Sequence, residues 1–281
     1  MKKLLPWLLI VCLAAAGCAG KAAAPGVGMR QKAVALNDSG WRYYQEGQSR
    51  LALHKFEQAL RVNRLIDHPE GMAANLNNLG VVHLEQGDLE QAQACFTEAL
   101  DLMQGQGNPA GLAETLNNLG SLYLSQGYVA EAQETFTQAL GWARMLPPGP
   151  LLALSLTHLG DAARAQGDAS GALALYRQAL EIDEAGKDQQ GRAVHLERMG
   201  RAFMALEEYP QARQHLTQSL EESRRLEYTR GIIAALEGLV QLSLAQGDQA
   251  GVQAYGERLL KIYQALGRTG DAKRLAELLQ K

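Results

Sequence analysis

Glycine returns at the same place in every forty residues of this 281-residue chain, and this period constrains the fold more than any other feature. One series of glycines is Gly40, Gly80, Gly120, Gly160 and Gly200. Leucines keep the same step from Leu60 to Leu260. A fixed period of this length is typical of stacked units, none of which can bury its apolar faces alone. The pattern therefore predicts about six units in one continuous stack.

Each unit is predicted to contain a helix, a tight turn and a second helix. In the second unit, Leu76, Leu79 and Val82 follow one another at helical spacing before Gly87. A glycine at that place can adopt the left-handed conformation that ends a helix, and Asp88 can cap the next helix through its side chain. Because Val, Ile and Thr never gather into strand-like runs, we expect an all-α fold.

Two neighbouring units carry the residues of a known repeat signature. These residues are Leu79-Gly80, Ala92, Phe96 and Ala99 in one unit, and Leu119-Gly120, Tyr123, Ala132, Phe136 and Ala139 in the next. They resemble the tetratricopeptide repeat, in the forty-residue form seen in kinesin light chains. The resemblance implies an α-solenoid of about six stacked helix-turn-helix units over residues 30–266 and a C-terminal capping helix over 267–281. It also implies that the first helix of each unit lines the concave side.

The first residues of the chain have the pattern of a secretion signal. Two lysines precede an apolar run from Leu4 to Leu13, which is too short for a permanent membrane helix. The sequence Ala-Ala-Gly-Cys that ends at Cys18 resembles the lipobox of bacterial lipoproteins. That resemblance implies removal of a signal peptide, residues 1–17, and acylation of Cys18. Residues 18–29 would then be the lipidated cysteine and a flexible linker rich in Ala and Gly.

The residue after the cysteine bears on the location of the protein. Ala19 stands where an Asp would retain a lipoprotein at the inner membrane. The resemblance therefore implies a protein anchored in the cell envelope at the outer membrane and facing the periplasm. The alternative is cleavage by the ordinary signal peptidase, which would give a soluble periplasmic protein.

Charge and composition give no sign of nucleic-acid binding or catalysis. The net charge is −3, and no block of like charges suggests a nucleic-acid partner. The sequence has no His-Glu-x-x-His or Cys-x-x-Cys motif and no phosphate-binding glycine loop after a strand. We therefore expect no enzyme, no metal and no cofactor.

The candidate binding site is a stripe that helical periodicity places on the first helix of each unit. Asn77 and Asn117 are its leading members, because an amide can both donate to and accept from a peptide backbone. Asparagine is also a poor helix former, so its presence there needs a reason. Asn78 and Asn118 lie beside them. The alternative is that one asparagine of each pair bonds to the next unit and fixes the stack.

The remaining candidates are aromatic or cationic. They are Trp41, Tyr44, Arg164, Arg198 and Arg201. Trp, Tyr and Arg are frequent anchors of protein interfaces. Trp41 could instead cover the open end of the first unit. Asp161 and Glu197 lie among the arginines, and this mixture of signs argues against a dedicated clamp for a carboxylate terminus.

The function expected from these features is that of a membrane-tethered scaffold or adaptor. It would bind a peptide or protein segment of the envelope in its concave groove. Proteins of similar build help to assemble pilus secretins or outer-membrane barrels, or recruit peptidoglycan hydrolases. One alternative is a structural stack that self-associates into a homo-oligomer. Another is an enzyme or small-molecule binder, which would need a deep pocket with convergent polar groups.

Overall fold

A computed structural model describes residues 25–280 of the chain. Over this range the backbone forms thirteen α-helices and no strand, so the prediction of an all-α solenoid is confirmed. The helices are α1 (Pro25–Gln45), α2 (Ser49–Leu65), α3 (Pro69–Gln86), α4 (Leu89–Gln106), α5 (Pro109–Ser125), α6 (Val129–Ala143), α7 (Pro150–Ala165), α8 (Ala169–Gly186), α9 (Gln189–Ala205), α10 (Tyr209–Arg225), α11 (Thr229–Ala245), α12 (Gln249–Ala265) and α13 (Thr269–Leu279). The predicted signal peptide and Cys18 lie outside the described residues.

Helix α1 begins earlier than the sequence predicted. The linker was expected to run to residue 29, but the helix already starts at Pro25. Proline is well suited to the first turn of a helix, because the N–H that it lacks would have no partner there. The helix thus includes residues 25–29, which were expected to belong to the linker. None of the helices in residues 25–280 is long and apolar enough to span a membrane.

The turns within units follow the predicted glycine pattern. Gly87 and Gly167 have φ values of +82° and +90°, the left-handed conformation that ends a helix. Glu207 stands at the equivalent place in the fifth unit and adopts the same conformation, with φ +58°. Capping after the turn differs between units. Asp168 accepts a hydrogen bond from the Gly171 N–H at 2.8 Å, whereas the Asp88 side chain makes no capping hydrogen bond, contrary to our expectation.

The two helices of a unit meet where a glycine faces an aromatic ring. A Cβ atom added to Gly120 would lie 2.5 Å from Cε1 of Phe136, so no larger residue fits without movement. Phe136 is fully buried, and so is Ala132 on the same helix. The Phe136 ring also stacks on His158 of the next unit. One aromatic side chain therefore holds the helices of its own unit together and joins that unit to its neighbour.

Contacts between units show which helices line the concave side. The backbones of α1, α3, α5, α7, α9 and α11 each come within 8 Å, Cα to Cα, of the next helix in this series, whereas no two even-numbered helices come as close in the part of the chain that is described. The inner path of a curved stack is shorter than its outer path. The odd-numbered helices therefore line the concave side, as the sequence resemblance implied.

Candidate binding groove

Two residues, one helical turn apart, leave part of the concave side open in the central odd-numbered helices. In the three central helices these residues are Glu114 and Asn118, Leu154 and His158, and Val194 and Arg198. None of the six is fully buried, and Leu154 is 43% exposed. We call these six residues the groove floor. The floor offers aliphatic, aromatic and charged groups along a continuous surface.

Two floor residues are desolvated by the protein around them, as expected for side chains in a hollow. Glu114 is exposed to solvent, yet desolvation by the surrounding protein raises its pKa. Desolvation also lowers the pKa of His158 to about 4, against the opposing effect of Asp161. The His158 ring stacks on Phe136, with 5.1 Å between ring centroids and 7° between planes. The floor therefore presents a neutral imidazole in a fixed orientation at pH 7.

Asn77 and Asn117 do not lie on the floor. Their exposed fractions are 2% and 1%. The amide nitrogen of Asn77 donates to Thr115 Oγ1 at 3.0 Å, and that of Asn117 donates to Ser155 Oγ at 2.9 Å. Both bonds cross to the next unit. The expectation that these asparagines face an open groove is therefore wrong, and their contacts are those of the alternative in which asparagine fixes the stack.

The second asparagine of each pair behaves differently in the two units. Asn78 is buried and donates to Asn37 Oδ1 at 2.7 Å, which joins the second unit to the first. Asn118 is only half-buried and belongs to the groove floor. Of the four asparagines, Asn118 alone is placed where a ligand can reach it.

The inter-unit hydrogen bonds include a geometry that resembles a catalytic triad. Thr157 Oγ1 lies 2.6 Å from His195 Nε2, and His195 Nδ1 lies 2.7 Å from Asp183 Oδ2. All three side chains are buried. The Thr157 hydroxyl donates to the carbonyl of Ala153 at 2.7 Å, so it accepts from the imidazole and has no path to a substrate. Thr157 and His195 therefore join neighbouring units of the stack, as Asn77 and Asn117 do.

Two of the predicted arginines are engaged in ion pairs. Arg198 lies 3.3 Å from Asp161 and 3.5 Å from Glu197. Arg201 pairs with Glu197 and donates to Gln241 Oε1 at 3.0 Å. Asp161 raises the pKa of Arg198 further, so this guanidinium stays charged. The pairing leaves neither arginine as a free cationic anchor.

Arg164 has a different environment. It is half-buried, and its Nε has no hydrogen-bond partner among residues 25–280. The Nε atom is itself buried, so its lack of a partner does not mark an open cationic anchor. Within the same range, no group of His, Cys, Asp and Glu side chains is arranged to hold a metal ion.

The predicted aromatic pair lies at the end of the groove. Tyr44 is only 5% exposed, and its hydroxyl donates to Glu85. The Arg230 guanidinium lies over the Tyr44 ring, 4.4 Å from its centroid. Trp41 is partly exposed and meets Tyr44 edge-on, with 5.2 Å between ring centroids. Tyr44 is thus covered by protein, which contradicts its placement on the open groove.

Sequence reasoning missed Glu114, Leu154 and Val194 as floor residues. They occupy the same place in successive repeats, so the period does reveal them as a series. What it does not reveal is which face of the helix is open. The leading members of the predicted stripe, Asn77 and Asn117, were displaced by one residue, which rotates a side chain by about 100°, whereas Asn118 and Arg198 of the prediction do lie on the floor.

Two family models described as tetratricopeptide repeat match the chain. One matches residues 37–102, and the other matches residues 71–141 and again 111–185. Together they cover more than half of the chain. Neither indicates a catalytic family. No curated protein matches the sequence.

Solved structures share the fold at low sequence identity. The repeats of a kinesin light chain from Podospora anserina are 19% identical, with TM-score 0.53, over 71% of this chain and 98% of that one. A Rap protein complexed with competence and sporulation factor is 14% identical, with TM-score 0.65, over 89% and 74%. The pilF protein of Pseudomonas aeruginosa is 19% identical, with TM-score 0.54, over 88% and 99%. At these identities the likeness extends to the fold alone.

Proposed function

The chain belongs to the tetratricopeptide repeat family, whose members are generally protein-interaction scaffolds, and we propose that it binds a peptide or protein segment along the groove floor. The observation that carries this proposal is the exposure of Leu154 on the concave side. Exposed apolar groups beside fixed polar groups are typical of protein interaction surfaces. The Rap structure in complex with a signalling factor supports a ligand role for a stack of this kind.

The floor favours a segment with an apolar centre and a basic group. Leu154 and Val194 offer aliphatic contact, and neutral His158 offers an aromatic face. Glu114 is available to a basic group of the ligand. A purely acidic ligand is disfavoured, because Arg198 and Arg201 are already neutralised.

We further propose that the scaffold is tethered to the outer membrane and serves envelope assembly. The support is the lipobox-like sequence before Cys18, together with the apolar run that precedes it. One acyl chain gives marginal membrane binding, whereas several chains on one cysteine give a stable anchor.

The groove is tested with a photo-crosslinking residue at position 154 in the full-length protein in its native cells. The control carries the same residue at Glu134, which is exposed on the even-numbered helix α6. We expect crosslinks to a second protein from position 154 and not from position 134. Identical products from both positions, or none from 154, would refute the groove. Products that join two copies of this chain would instead support the self-associating stack.

The tether is tested by replacing Cys18 with serine. We expect radiolabelled palmitate to enter the wild-type protein and not the variant, and the wild-type protein to sediment with outer membranes. A wild-type protein that takes up no palmitate and is released with the periplasm would establish the soluble alternative.

A further inference from the structure

The two ends of the stack meet through three side chains. Arg230, in the first turn of α11, lies 3.8 Å from the Glu85 carboxylate at the end of α3. The same guanidinium lies over the ring of Tyr44 in α1, and Tyr44 donates to Glu85. We call Tyr44, Glu85 and Arg230 the seam. It joins the sixth unit to the first two, although the units between them separate these residues by more than a hundred positions.

Tyr44 and Glu85 depart from what every other unit holds at their places, and Arg230 departs from all but the first. The equivalents of Tyr44 are Leu84, Leu124, Arg164, Met204 and Leu244, those of Glu85 are Gln45, Ser125, Ala165, Ala205 and Ala245, and those of Arg230 are Arg30, Glu70, Ala110, Pro150 and Gln190. No other unit has an aromatic residue at the place of Tyr44 or an acid at that of Glu85, and only the first unit also has an arginine at that of Arg230. Packing within a unit therefore does not require these residues. Their common property is that they meet in space.

The helix dipoles give no reason for these charges either. A cation is unfavourable at the N-terminal end of a helix, and an anion is unfavourable at the C-terminal end. Arg230 and Glu85 occupy these two unfavourable places. Across the seam the signs become favourable, because each charge faces the oppositely charged side chain and the complementary helix end. The contact between Arg230 and Glu85 therefore accounts for both of these otherwise unfavourable charges.

The seam lies beside one part of the groove floor, because Arg230 lines the same small pocket as Val194 and Arg198. A second pocket, of about 370 Å³, also adjoins the seam, and its wall includes Trp41, Gln45, Gln190 and Tyr228. Residues of α1, α9 and α11 thus come together at one edge of the stack. A segment that enters the hollow from this edge must pass the seam.

We propose that the seam is a latch that holds the stack closed and controls entry to the groove floor; the second half of this statement rests on the function proposed above. The side chains of the Arg230–Glu85 pair are half-exposed, so the pair is weak enough to open and is sensitive to salt. A ligand that brings charged groups to the edge competes for the same residues.

The latch is tested by distance measurement between the ends of the stack. Spin labels are attached through ketone-bearing residues placed at Arg50 in α2 and Arg258 in α12, two exposed sites on even-numbered helices, so that the cysteines stay unchanged. We expect one short distance at low salt. Arg230→Gln should lower the ratio of closed to open molecules roughly tenfold, since it removes both an ion pair and a cation–π contact. High salt should shift the wild-type distribution in the same direction.

Two controls make this result specific. Arg224→Gln removes an exposed arginine in the last turn of α10 and should leave the distances unchanged. Exchanging the charges, with Arg230→Glu and Glu85→Arg together, should restore part of the closed population that either single change removes. Identical distances in the wild type and in Arg230→Gln would overturn the latch.

Control of entry is measured without any biological ligand. A ketone-bearing residue at position 154 is reacted with a bulky aminooxy polyethylene glycol, and we expect Arg230→Gln to react roughly five- to tenfold faster than the wild type. Equal rates would show that the seam does not control entry, whatever the distances show. An absence of crosslinks from position 154 would refute the scaffold function, whereas the distances would still decide whether the latch exists.

Discussion

At the scale of single residues, the fold depends on places where no side chain fits. Gly120 faces the buried ring of Phe136, and a Cβ atom would come within 2.5 Å of that ring. Gly120→Ala should therefore lower the free energy of unfolding by about 1–3 kcal/mol, because the ring must move to avoid overlap. Urea unfolding followed by circular dichroism measures the change.

The matched control is Gly141→Ala. Gly141 lies in helix α6, and a Cβ atom there would meet nothing within 4 Å. Alanine should stabilise this helix by about 0.5–1 kcal/mol, since it has the higher helix propensity. Destabilisation by both changes would contradict the argument from close approach.

His158 links stability to pH. Its pKa in the folded protein is lowered to about 4, mainly by desolvation. The unfolded chain therefore binds a proton near pH 6.5 that the folded protein does not bind. We expect the contribution of His158 to stability to be complete above pH 6.5 and to be lost as the pH falls towards 4. In urea titrations across this range, His158→Gln should flatten the slope, and an unchanged slope would argue against a neutral buried imidazole.

At the scale of helices and units, a few side-chain amides hold the stack together. Asn117→Ala removes the donor to Ser155 and should destabilise the protein by about 1–3 kcal/mol, because the buried hydroxyl oxygen loses its donor while the hydroxyl still donates to the Leu151 carbonyl. Asn118→Ala, next to it on the open floor, should change stability by less than about 0.5 kcal/mol. Chemical unfolding of the two variants separates a structural asparagine from one that is free to bind. Equal losses of stability would show that both asparagines stabilise the stack.

The turn within the fifth unit carries strain that the turns within the other units avoid. Glu207 adopts φ +58° at a place where most units have glycine. Left-handed backbone costs a non-glycine residue about 1–2 kcal/mol, whereas glycine adopts it freely. Glu207→Gly should therefore raise the melting temperature, although the greater freedom of the unfolded chain offsets part of the gain. A lower melting temperature would show that the Glu207 side chain makes a stabilising contact.

At the scale of the whole molecule, the stack is more than a sum of neighbours. Units of a solenoid normally contact only the adjacent units. Here Arg230 adds a contact between the sixth unit and the first two. The seam and the groove floor lie on the same concave side. Closure of the stack at the seam is therefore expected to limit access to the proposed binding site.

The sequence by itself determined the elements of this protein. The forty-residue period, the turn glycines and the helical spacing of Leu76, Leu79 and Val82 correctly predicted a stack of helix pairs. These features act over a few residues, because backbone hydrogen bonds and side-chain spacing along a helix are local. A repeat in the sequence therefore predicts these local elements directly.

Only the tertiary structure decided which face of each odd-numbered helix is open. Asn77 and Asn117 face the next unit, whereas Glu114 and Leu154 face the hollow. That choice depends on the angle between packed units, and a shift of one residue along the helix moves a side chain by about 100°. The meeting of Tyr44, Glu85 and Arg230 depends on the same angles summed over the whole stack. The period of the sequence gives no information on the accumulated angle between distant units. The open face and the seam could therefore be identified only from the tertiary structure.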